Sequence, residues 1–166
     1  SILDFSKIEE GEMETYPTDI NIAELFDEIN ILLETQVKEK NITLETHGLD
    51  STRMIYADKQ LLKQAFINIL SNAVKFTQEN GNIQINYTFK DNLNHFNICD
   101  NGVGISPEDL KEIFEPFKQG SSATKTKAKG TGLGLAITKK IITELHNGQI
   151  EIQSKENKGT CFHISL

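Results

Sequence analysis

The sequence predicts an α+β fold in which a layer of helices packs on a sheet, that is, a two-layer sandwich. Helix-like and strand-like segments are grouped along the chain rather than alternating regularly, which argues against a doubly wound parallel sheet. The second half contains two pairs of alternating strands, each pair joined by a turn as in a hairpin. Of the 166 residues 37% are hydrophobic and 25% charged, which suits one globular domain with its own core.

The predicted helices follow from apolar residues that recur every three or four positions. Asn21 and Asp58 are suitable N-caps, and Ser106 followed by Pro107 is a typical helix start. The helices are expected at an N-terminal stretch stopped by Gly11, at Asn21 to about Lys40, at Lys59 to about Lys75, at Ser106 to Pro116, and from Gly130 to about His146.

The predicted strands follow from alternation of apolar and polar residues. They are expected at Ile42–Thr46, Met54–Ala57, Asn82–Phe89, His95–Cys99, Gln149–Ser154 and Thr160–Leu166, with an edge strand or extended linker at Glu12–Ile20 around Pro17.

Composition excludes several classes of protein. The net charge of -7 argues against a general binder of nucleic acid or of membrane surfaces. No apolar run approaches the roughly 20 residues of a membrane helix. Cys99 and Cys161 each lie in an apolar, strand-like run without metal-ligand spacing, so the sequence predicts two buried thiols in a reducing compartment.

One stripe of a predicted helix is unusually polar. Asn68, Asn72 and Lys75 share a face, while the apolar residues of the helix point elsewhere. An amide oxygen can ligate a hard cation such as Mg²⁺, and a lysine ammonium can bind phosphate. The alternative is an ordinary solvated helix face.

Two glycine-rich segments follow. Asp100, Gly102 and Gly104 lie at the end of a predicted strand, where glycine permits a sharp bend or a close approach to a ligand. The segment 130–135, GTGLGL, opens a helix whose free amides could bind an anion. Residues 118–129 lie between the two segments and include four lysines, Lys118, Lys125, Lys127 and Lys129. We expect them to form either a solvated flexible loop or a lid that covers phosphate.

The four motifs NxxxNxxK, DxGxG, FxxF (Phe114 and Phe117) and GxGLGL occur in this order. Together they resemble the ATP-binding catalytic domain of sensor histidine kinases, in the superfamily shared with gyrase B, the heat-shock chaperone ATPases and MutL. The resemblance covers nearly the whole chain. It implies the Bergerat or GHKL fold, a mixed, mostly antiparallel sheet packed on one face by helices. It also implies that residues 1–12 are the C-terminal remnant of a dimerisation-phosphotransfer helix with its linker, and that 13–166 form the ATP-binding domain.

The resemblance also implies roles for single residues. Asp100 would accept a hydrogen bond from the adenine amine, and Thr160 would help to bind adenine through water. Asn72 would bind Mg²⁺, with Asn68 beside it on the metal or the phosphates, and Lys75 would meet the phosphate chain. Phe114 and Phe117 would anchor the base of the lid. The other implied nucleotide-binding residues are Gly102, Gly104, Ile105, Phe117, Gly130, Thr131, Gly132, Leu133, Gly134 and Leu135. The plainer alternatives are a turn-capping aspartate, core phenylalanines and a strand threonine.

The sequence also bears on the reaction. In hydrolysing relatives a glutamate four residues before the metal-binding asparagine activates water, but Asn68 holds that place here and has no basic form. We therefore expect slow hydrolysis, with ATP positioned for transfer to another nucleophile and with Asn68 and Lys75 as catalytic residues. One departure concerns the hinge of the lid: Lys129 stands where many relatives have a glycine.

The acceptor is expected to lie outside these residues, because none of the four histidines is in a helical His-acid context. The resemblance implies a protein histidine kinase whose partners are ATP or ADP, a dimerisation-phosphotransfer domain of the same or a partner chain, and the receiver domain of a response regulator. No nucleic acid and no direct membrane contact are expected, with a cytoplasmic location in a parent that can be membrane-anchored. The alternatives are an ATP-gated interaction module without kinase activity and a scaffold that binds no nucleotide.

Overall fold

The structure is a computed structural model that describes residues 2–120 and 130–166. Its helices are α1 (Ile2–Glu9), α2 (Ile22–Glu39), α3 (Lys59–Phe76), α4 (Pro107–Lys111) and α5 (Gly134–Lys140), which continues as a π-helical turn at Ile141–Leu145. Its strands are β1 (Thr18–Asn21), β2 (Thr43–His47), β3 (Met54–Ala57), β4 (Asn82–Lys90), β5 (Leu93–Asp100), β6 (Gln149–Lys155) and β7 (Gly159–Ser165).

The two long helices begin at the predicted N-caps. The side chain of Asn21 accepts a hydrogen bond from the Glu24 amide at 3.1 Å, and the Asp58 carboxylate accepts one from the Leu61 amide, also at 3.1 Å. Each bond satisfies one of the amides that a helix start leaves without an intrahelical partner. Local sequence chemistry therefore sets the starts of α2 and α3.

Three predicted bounds are wrong. The helix expected to run to Pro116 ends at Lys111, where the Glu112 amide bonds to the Asp109 carbonyl at 3.1 Å and the chain continues in turns. The helix expected to open at Gly130 begins at Gly134, because Gly132 has a φ of +72°, which a right-handed helix does not accommodate. The edge strand or linker expected at Glu12–Ile20 contains a strand only from Thr18, directly after Pro17.

The main sheet has the strand order β2-β4-β5-β7-β6, with β2 parallel to β4 and the remaining neighbours antiparallel. This confirms the mixed, mostly antiparallel sheet. β1 and β3 form a separate two-stranded antiparallel sheet in which Thr18 lies opposite Ala57. The sequence did not predict that these two strands would leave the main sheet.

The core lies between one face of the main sheet and the helices. Phe26 of α2, Phe66 of α3 and Phe96 of β5 are almost fully buried, and their ring centroids are 4.9 to 5.8 Å apart. Ile83 and Ile85 of β4 are also fully buried beside this cluster. Aromatic pairs at these spacings add to the free energy gained by burying their area. The two-layer α+β sandwich is therefore confirmed.

The register of the sheet brings two distant site residues together. In the pairing of β5 with β7, Asp100 lies directly opposite Thr160. On its other side Asp100 lies opposite Ile83 of β4. The last residue of β5 therefore sits in the middle of the sheet, below helix α3.

The prediction of two buried thiols is wrong. Cys99 and Cys161 are directly opposite each other in β5 and β7, with Cα atoms 4.1 Å apart, and form a disulfide. Both are half-buried, on the face away from the helices, because their neighbours Ile98 and Phe162 occupy the core face and side chains alternate along a strand. The spacing along the sequence, 62 residues, gave no indication of this pairing.

None of the helices in the described part of the chain is long and apolar enough to cross a membrane.

Reducing the disulfide is expected to lower the free energy of unfolding by about 2 to 4 kcal/mol, because the bond closes a long loop and restricts the unfolded chain. Urea unfolding followed by circular dichroism, with and without dithiothreitol, measures the difference. The double variant Cys99→Ser/Cys161→Ser serves as the control and should not respond to dithiothreitol. Equal unfolding midpoints for the oxidised and reduced wild-type protein would contradict the expectation.

Candidate nucleotide-binding site

A cleft between α3, the loop after β5 and the start of α5 has two connected parts. The first part encloses about 540 Å³, including space open to solvent, and lies over the ends of β5 and β7. It is lined by Asn72, Ala73, Phe76, Asp100, Gly104, Ile105, Asp109, Gly120, Leu135, Thr160 and Phe162. Its walls are mainly apolar with a few polar side chains among them, which is typical of a small-molecule site.

The second part continues from the first and is more polar. It encloses about 710 Å³, again including open space. It is lined by Asn72, Lys75, Phe76, Ile113, Lys118, Gln119, Gly120, Gly130, Thr131, Gly132, Gly134 and Leu135. Asn72 and Leu135 line both parts, so the predicted polar stripe and the predicted glycine segment meet in one cleft.

Asp100 is the carboxylate at the floor of the first part. Burial raises its pKa above the ordinary value of 3.8, while hydrogen bonds from the backbone amides of Gly102 and Thr160 act in the opposite direction. The Gly102 amide lies 2.8 Å from Oδ1 of Asp100. A partly buried carboxylate with a raised pKa in a cleft is typical of a functional site.

Thr160 is almost completely buried beside Asp100, and its hydroxyl lies 2.8 Å from that of Ser154 in β6. The Ser154 hydroxyl also accepts a hydrogen bond from the Ile105 amide at 2.9 Å. Ser154 therefore connects the loop after β5 to the β6–β7 hairpin. Sequence reasoning missed this residue, because a serine in an alternating strand has no distinguishing local pattern.

The two asparagines of α3 differ in their surroundings. The side-chain nitrogen of Asn68 donates to the Gly134 carbonyl at 3.1 Å and to the Thr138 hydroxyl at 3.2 Å. These bonds join α3 to α5 and leave the Asn68 Oδ1 atom as an acceptor. The Asn72 side chain makes no hydrogen bond to another residue in the described ranges, and it lines both parts of the cleft.

Lys75 extends toward the second glycine segment. Its ammonium lies 5.3 Å from the centre of the Phe76 ring, and a methyl group placed on Gly130 would be 3.6 Å from it. Within residues 2–120 and 130–166 it has no acidic partner, so its charge faces the second part of the cleft uncompensated. Lys118, by contrast, is paired with Glu112 at 3.0 Å, and that contact raises its pKa. Lys125, Lys127 and Lys129 lie outside the described residues.

The glycines of the first segment are required by the protein's own packing. A Cβ on Gly102 would lie 2.4 Å from the Phe76 carbonyl oxygen, and a Cβ on Gly104 would lie 2.0 Å from that of Lys155. Gly104 also has a φ of +66°, which favours glycine. The resemblance implied close approach to a nucleotide, whereas the approach in the structure is to two other backbone segments.

The second glycine segment leads into α5 through a turn. The Gly132 carbonyl accepts a hydrogen bond from the Phe117 amide at 3.0 Å, and the Thr131 hydroxyl accepts one from the Leu133 amide at 3.3 Å. The Leu133 side chain is buried in the core, so only its backbone is near the cleft. The Leu133 amide is used in the bond to Thr131, so no group of Leu133 lines the cleft in the described residues.

Four of the predicted nucleotide-binding residues do not line the cleft: Asn68, Gly102, Phe117 and Leu133. Asn68 and Gly102 position neighbouring groups, as described above. The Phe117 ring is 63% exposed and packs edge-on against Phe5 of α1, with ring centroids 6.5 Å apart. The structure thus places this ring on α1 rather than in the cleft.

Sequence reasoning missed several residues that form the walls of the first part: Ala73, Phe76, Asp109, Gly120 and Phe162. Ala73 and Phe162 belong to buried faces that periodicity assigns to the core. Only the register of the elements shows that the end of such a face borders a cavity.

Comparison with known proteins agrees with this site. Residues 57–166 match the family described as histidine kinase-, DNA gyrase B-, and HSP90-like ATPase. The chain is 33% identical over 172 residues to the autoinducer 2 sensor kinase/phosphatase LuxQ of Vibrio vulnificus, covering 99% of this chain and 20% of that protein. It is 39% identical over 147 residues to sporulation kinase A of Bacillus subtilis, covering 89% of this chain and 23% of that protein. It therefore spans about a fifth of the length of these relatives.

Solved structures show the same fold. The catalytic domain of histidine kinase ThkA superposes with a TM-score of 0.79 at 34% identity, covering 93% of this chain and 95% of that chain. Full-length ShkA in complex with AMPPNP superposes with a TM-score of 0.83 at 27% identity, covering 99% of this chain and 34% of that chain. The chain thus belongs to the histidine kinase-, DNA gyrase B- and HSP90-like ATPase family, and it is an ATP-binding catalytic domain of the sensor histidine kinase type.

Proposed function

We propose that this domain binds Mg-ATP in the two-part cleft and positions its γ-phosphoryl group for transfer to a histidine of a dimerisation-phosphotransfer domain. The observation that carries the proposal is the division of the cleft. A mainly apolar part has the partly buried Asp100 at its floor, and a polar part contains a glycine turn and Lys75, which has no acidic partner among the described residues, with Asn72 at their junction.

The first part suits adenine. The Asp100 carboxylate can accept a hydrogen bond from the exocyclic amine, and the Thr160 hydroxyl can contribute a second polar contact. Phe76, Leu135 and Phe162 supply apolar surface for the faces of the base. A partly buried acceptor of this kind discriminates against a base that lacks the amine, because the carboxylate would then be left without a hydrogen-bond partner.

The second part suits the phosphates. Lys75 lines it, as do Gly130, Thr131, Gly132 and Gly134 before and at the start of α5. Amides and a positive helix end favour anions. Charge neutralisation and in-line positioning account for most of the catalysis in phosphoryl transfer.

The residues present fit a magnesium ion held mainly by the nucleotide. The described residues contain no cluster of three His, Cys, Asp or Glu side chains that could hold a metal. Mg²⁺ commonly takes one or two protein oxygens and completes its shell with phosphates and waters. We propose that Asn72 Oδ1 is such a ligand, with Asn68 Oδ1 beside it. The ion would neutralise phosphate charge.

The site lacks a base for hydrolysis at the expected place. Asn68 has no basic form, and its nitrogen is bonded to the Gly134 carbonyl and the Thr138 hydroxyl. Transfer to a second domain is therefore favoured over transfer to water. All four histidines lie outside the cleft lining, and His146 is used in bonds to the Ile141 carbonyl and the Asp58 amide.

The proposed partners follow from the proposed transfer of the phosphoryl group to a histidine. We propose that residues 1–12 are the C-terminal remnant of a dimerisation-phosphotransfer helix with its linker. In support, α1 ends at Glu9 and contacts the rest of the domain through Ile8 and Phe5. The phosphoryl group would pass on to the receiver domain of a response regulator, and a solved complex of ThkA contains the response regulator TrrA. We place the domain in the cytoplasm, where ATP is available.

The reaction is tested by mixing the domain with a histidine-bearing dimerisation domain of a related kinase and γ-³²P-labelled ATP. Acid-labile, base-stable phosphohistidine on the added domain is the expected product, with little release of inorganic phosphate by the catalytic domain alone. The same mixture with the acceptor histidine replaced by alanine is the control. Nucleotide binding without any transfer would contradict kinase activity.

The substitution Asp100→Asn is expected to weaken ADP binding about 10- to 100-fold, because a charge-assisted hydrogen bond to the adenine amine is lost. The same substitution should raise the melting temperature of the unliganded domain at pH 7. Burial raises the pKa of Asp100 in the folded state, so its ionised form destabilises the fold above that pKa, and this penalty disappears below the ordinary value of 3.8.

Calorimetry and thermal unfolding measure the two effects, and ADP affinity of the wild type should fall as the pH approaches the pKa of Asp100 from above. Asp91→Asn is the matched control, since Asp91 lies in the β4–β5 turn at the other end of β5 with a φ of 54°, which asparagine tolerates. Unchanged ADP affinity in Asp100→Asn would contradict the adenine assignment.

The substitution Asn72→Ala is expected to remove the part of ADP affinity that depends on Mg²⁺, because the proposed amide ligand is absent. Titrations in Mg²⁺ and in EDTA should therefore give nearly equal dissociation constants for this variant and clearly different ones for the wild type. Asn86→Ala, at a half-buried position of β4 outside the cleft, should behave as the wild type. A full Mg²⁺ effect in Asn72→Ala would assign the metal to other ligands.

A further inference from the structure

Helix α3 ends at Phe76, and its last four carbonyl groups all have partners. The Ala73 carbonyl accepts from the Thr77 amide at 2.9 Å, and the Phe76 carbonyl accepts from the Val103 amide at 3.1 Å. The carbonyls of Val74 and Lys75 have no backbone donor available, because a helix end leaves them without intrahelical partners. The side chain of the residue that follows helix α2 donates a hydrogen bond to each of these two carbonyls.

That side chain is Lys40, the residue that follows α2. Its ammonium donates to the carbonyls of Val74 at 2.8 Å, of Lys75 at 2.8 Å and of Thr77 at 2.9 Å. An ammonium has three N–H donors, and all three are used. The backbone of Lys40 is fixed as well, since its carbonyl accepts from the Asn80 amide at 2.9 Å.

We propose that Lys40, which lies outside all four motifs, is a positioning residue for the phosphate end of the nucleotide site. It caps the C-terminus of α3 and so fixes the last two turns, which carry Asn72 and Lys75. Its positive charge also opposes the negative end of the helix dipole, which would otherwise disfavour phosphate nearby. This inference rests on the proposed function of the cleft.

The surroundings make the cap important. Val74 and Thr77 are almost fully buried, and the bonds from Lys40 to their carbonyls are partly buried, at the edge of a groove that is open to solvent. A buried carbonyl without a partner costs more free energy than an ordinary hydrogen bond contributes. Without Lys40, we expect the last turn of α3 to open locally rather than keep unpaired carbonyls.

The effect should be largest at one end of the site. Lys40 bonds to α3 and to the residue after it, whereas Asp100 and Thr160 are held by the pairing of β5 with β7. Opening the end of α3 therefore displaces the proposed magnesium and phosphate ligands and one wall of the adenine part at Phe76, while the floor of that part keeps its register. A general loss of stability would not separate the two ends in this way.

The test compares two variants. Lys40→Met keeps a side chain of similar length but removes its donors, and Lys38→Met changes a lysine in the last turn of α2. Lys38 is exposed and paired with Glu34 one turn away, so this control removes a charge without touching α3. Calorimetry with Mg-ADP and with adenosine probes the two ends separately. For Lys40→Met we expect Mg-ADP binding about tenfold weaker and adenosine binding weakened by a clearly smaller factor, about threefold at most, with both affinities unchanged in Lys38→Met.

Hydrogen exchange of the unliganded protein supplies a readout independent of nucleotide. The amides of Thr77 and Val103 should exchange faster in Lys40→Met, because both bond to carbonyls of the last turn of α3. Lys40→Arg, which keeps charge and donors, should restore most of the protection and of the Mg-ADP affinity. If Lys40→Met does not fold, Lys40→Gln undergoes the same comparison.

Two outcomes would overturn the inference: unchanged Mg-ADP affinity and exchange in Lys40→Met, or an equal loss of Mg-ADP and adenosine binding. Failure of the proposed function looks different, since the wild-type domain would then bind neither ligand. In that case faster exchange of Thr77 and Val103 in Lys40→Met would still support the cap, and unchanged exchange would refute it.

Discussion

The nucleotide cleft depends on the close approach between the end of helix α3 and the loop that follows β5. Gly102 passes so near the Phe76 carbonyl that a Cβ would lie 2.4 Å from its oxygen, and the Val103 amide bonds to the same oxygen. This contact sets the distance between Asn72 on the helix and Asp100 on the strand. A larger side chain at residue 102 would push the two walls of the cleft apart.

Different parts of the fold hold the two ends of the cleft. The end proposed to bind adenine is held by the sheet, where β5 and β7 place Asp100 opposite Thr160 and the Ser154 hydroxyl accepts a hydrogen bond from the Ile105 amide. The end proposed to bind phosphate is held by helices, through the bonds from Asn68 to α5 and from Lys40 to α3.

The outer face of the sheet carries two cross-strand side-chain pairs that lie outside the four motifs. The Cys99–Cys161 disulfide joins β5 to β7 one residue away from Asp100 and Thr160. Farther along the same strands, the rings of His95 and His163 lie with nitrogen atoms 3.4 Å apart. These cross-strand pairs reinforce the register on which the adenine end depends.

Local chemistry in the sequence was sufficient for the caps at Asn21 and Asp58, for most strand bounds and for the family, because these depend on residue type and short spacings. The polar face of Asn72 and Lys75 could also be found from the sequence, since helical periodicity places them together. Only the tertiary structure decided four features: the separate β1–β3 sheet, the disulfide partner of each cysteine, the apolar residues that border the cleft, and the carbonyl groups to which Lys40 donates. Each of these depends on register and contacts between segments far apart in the chain, which composition and periodicity do not encode.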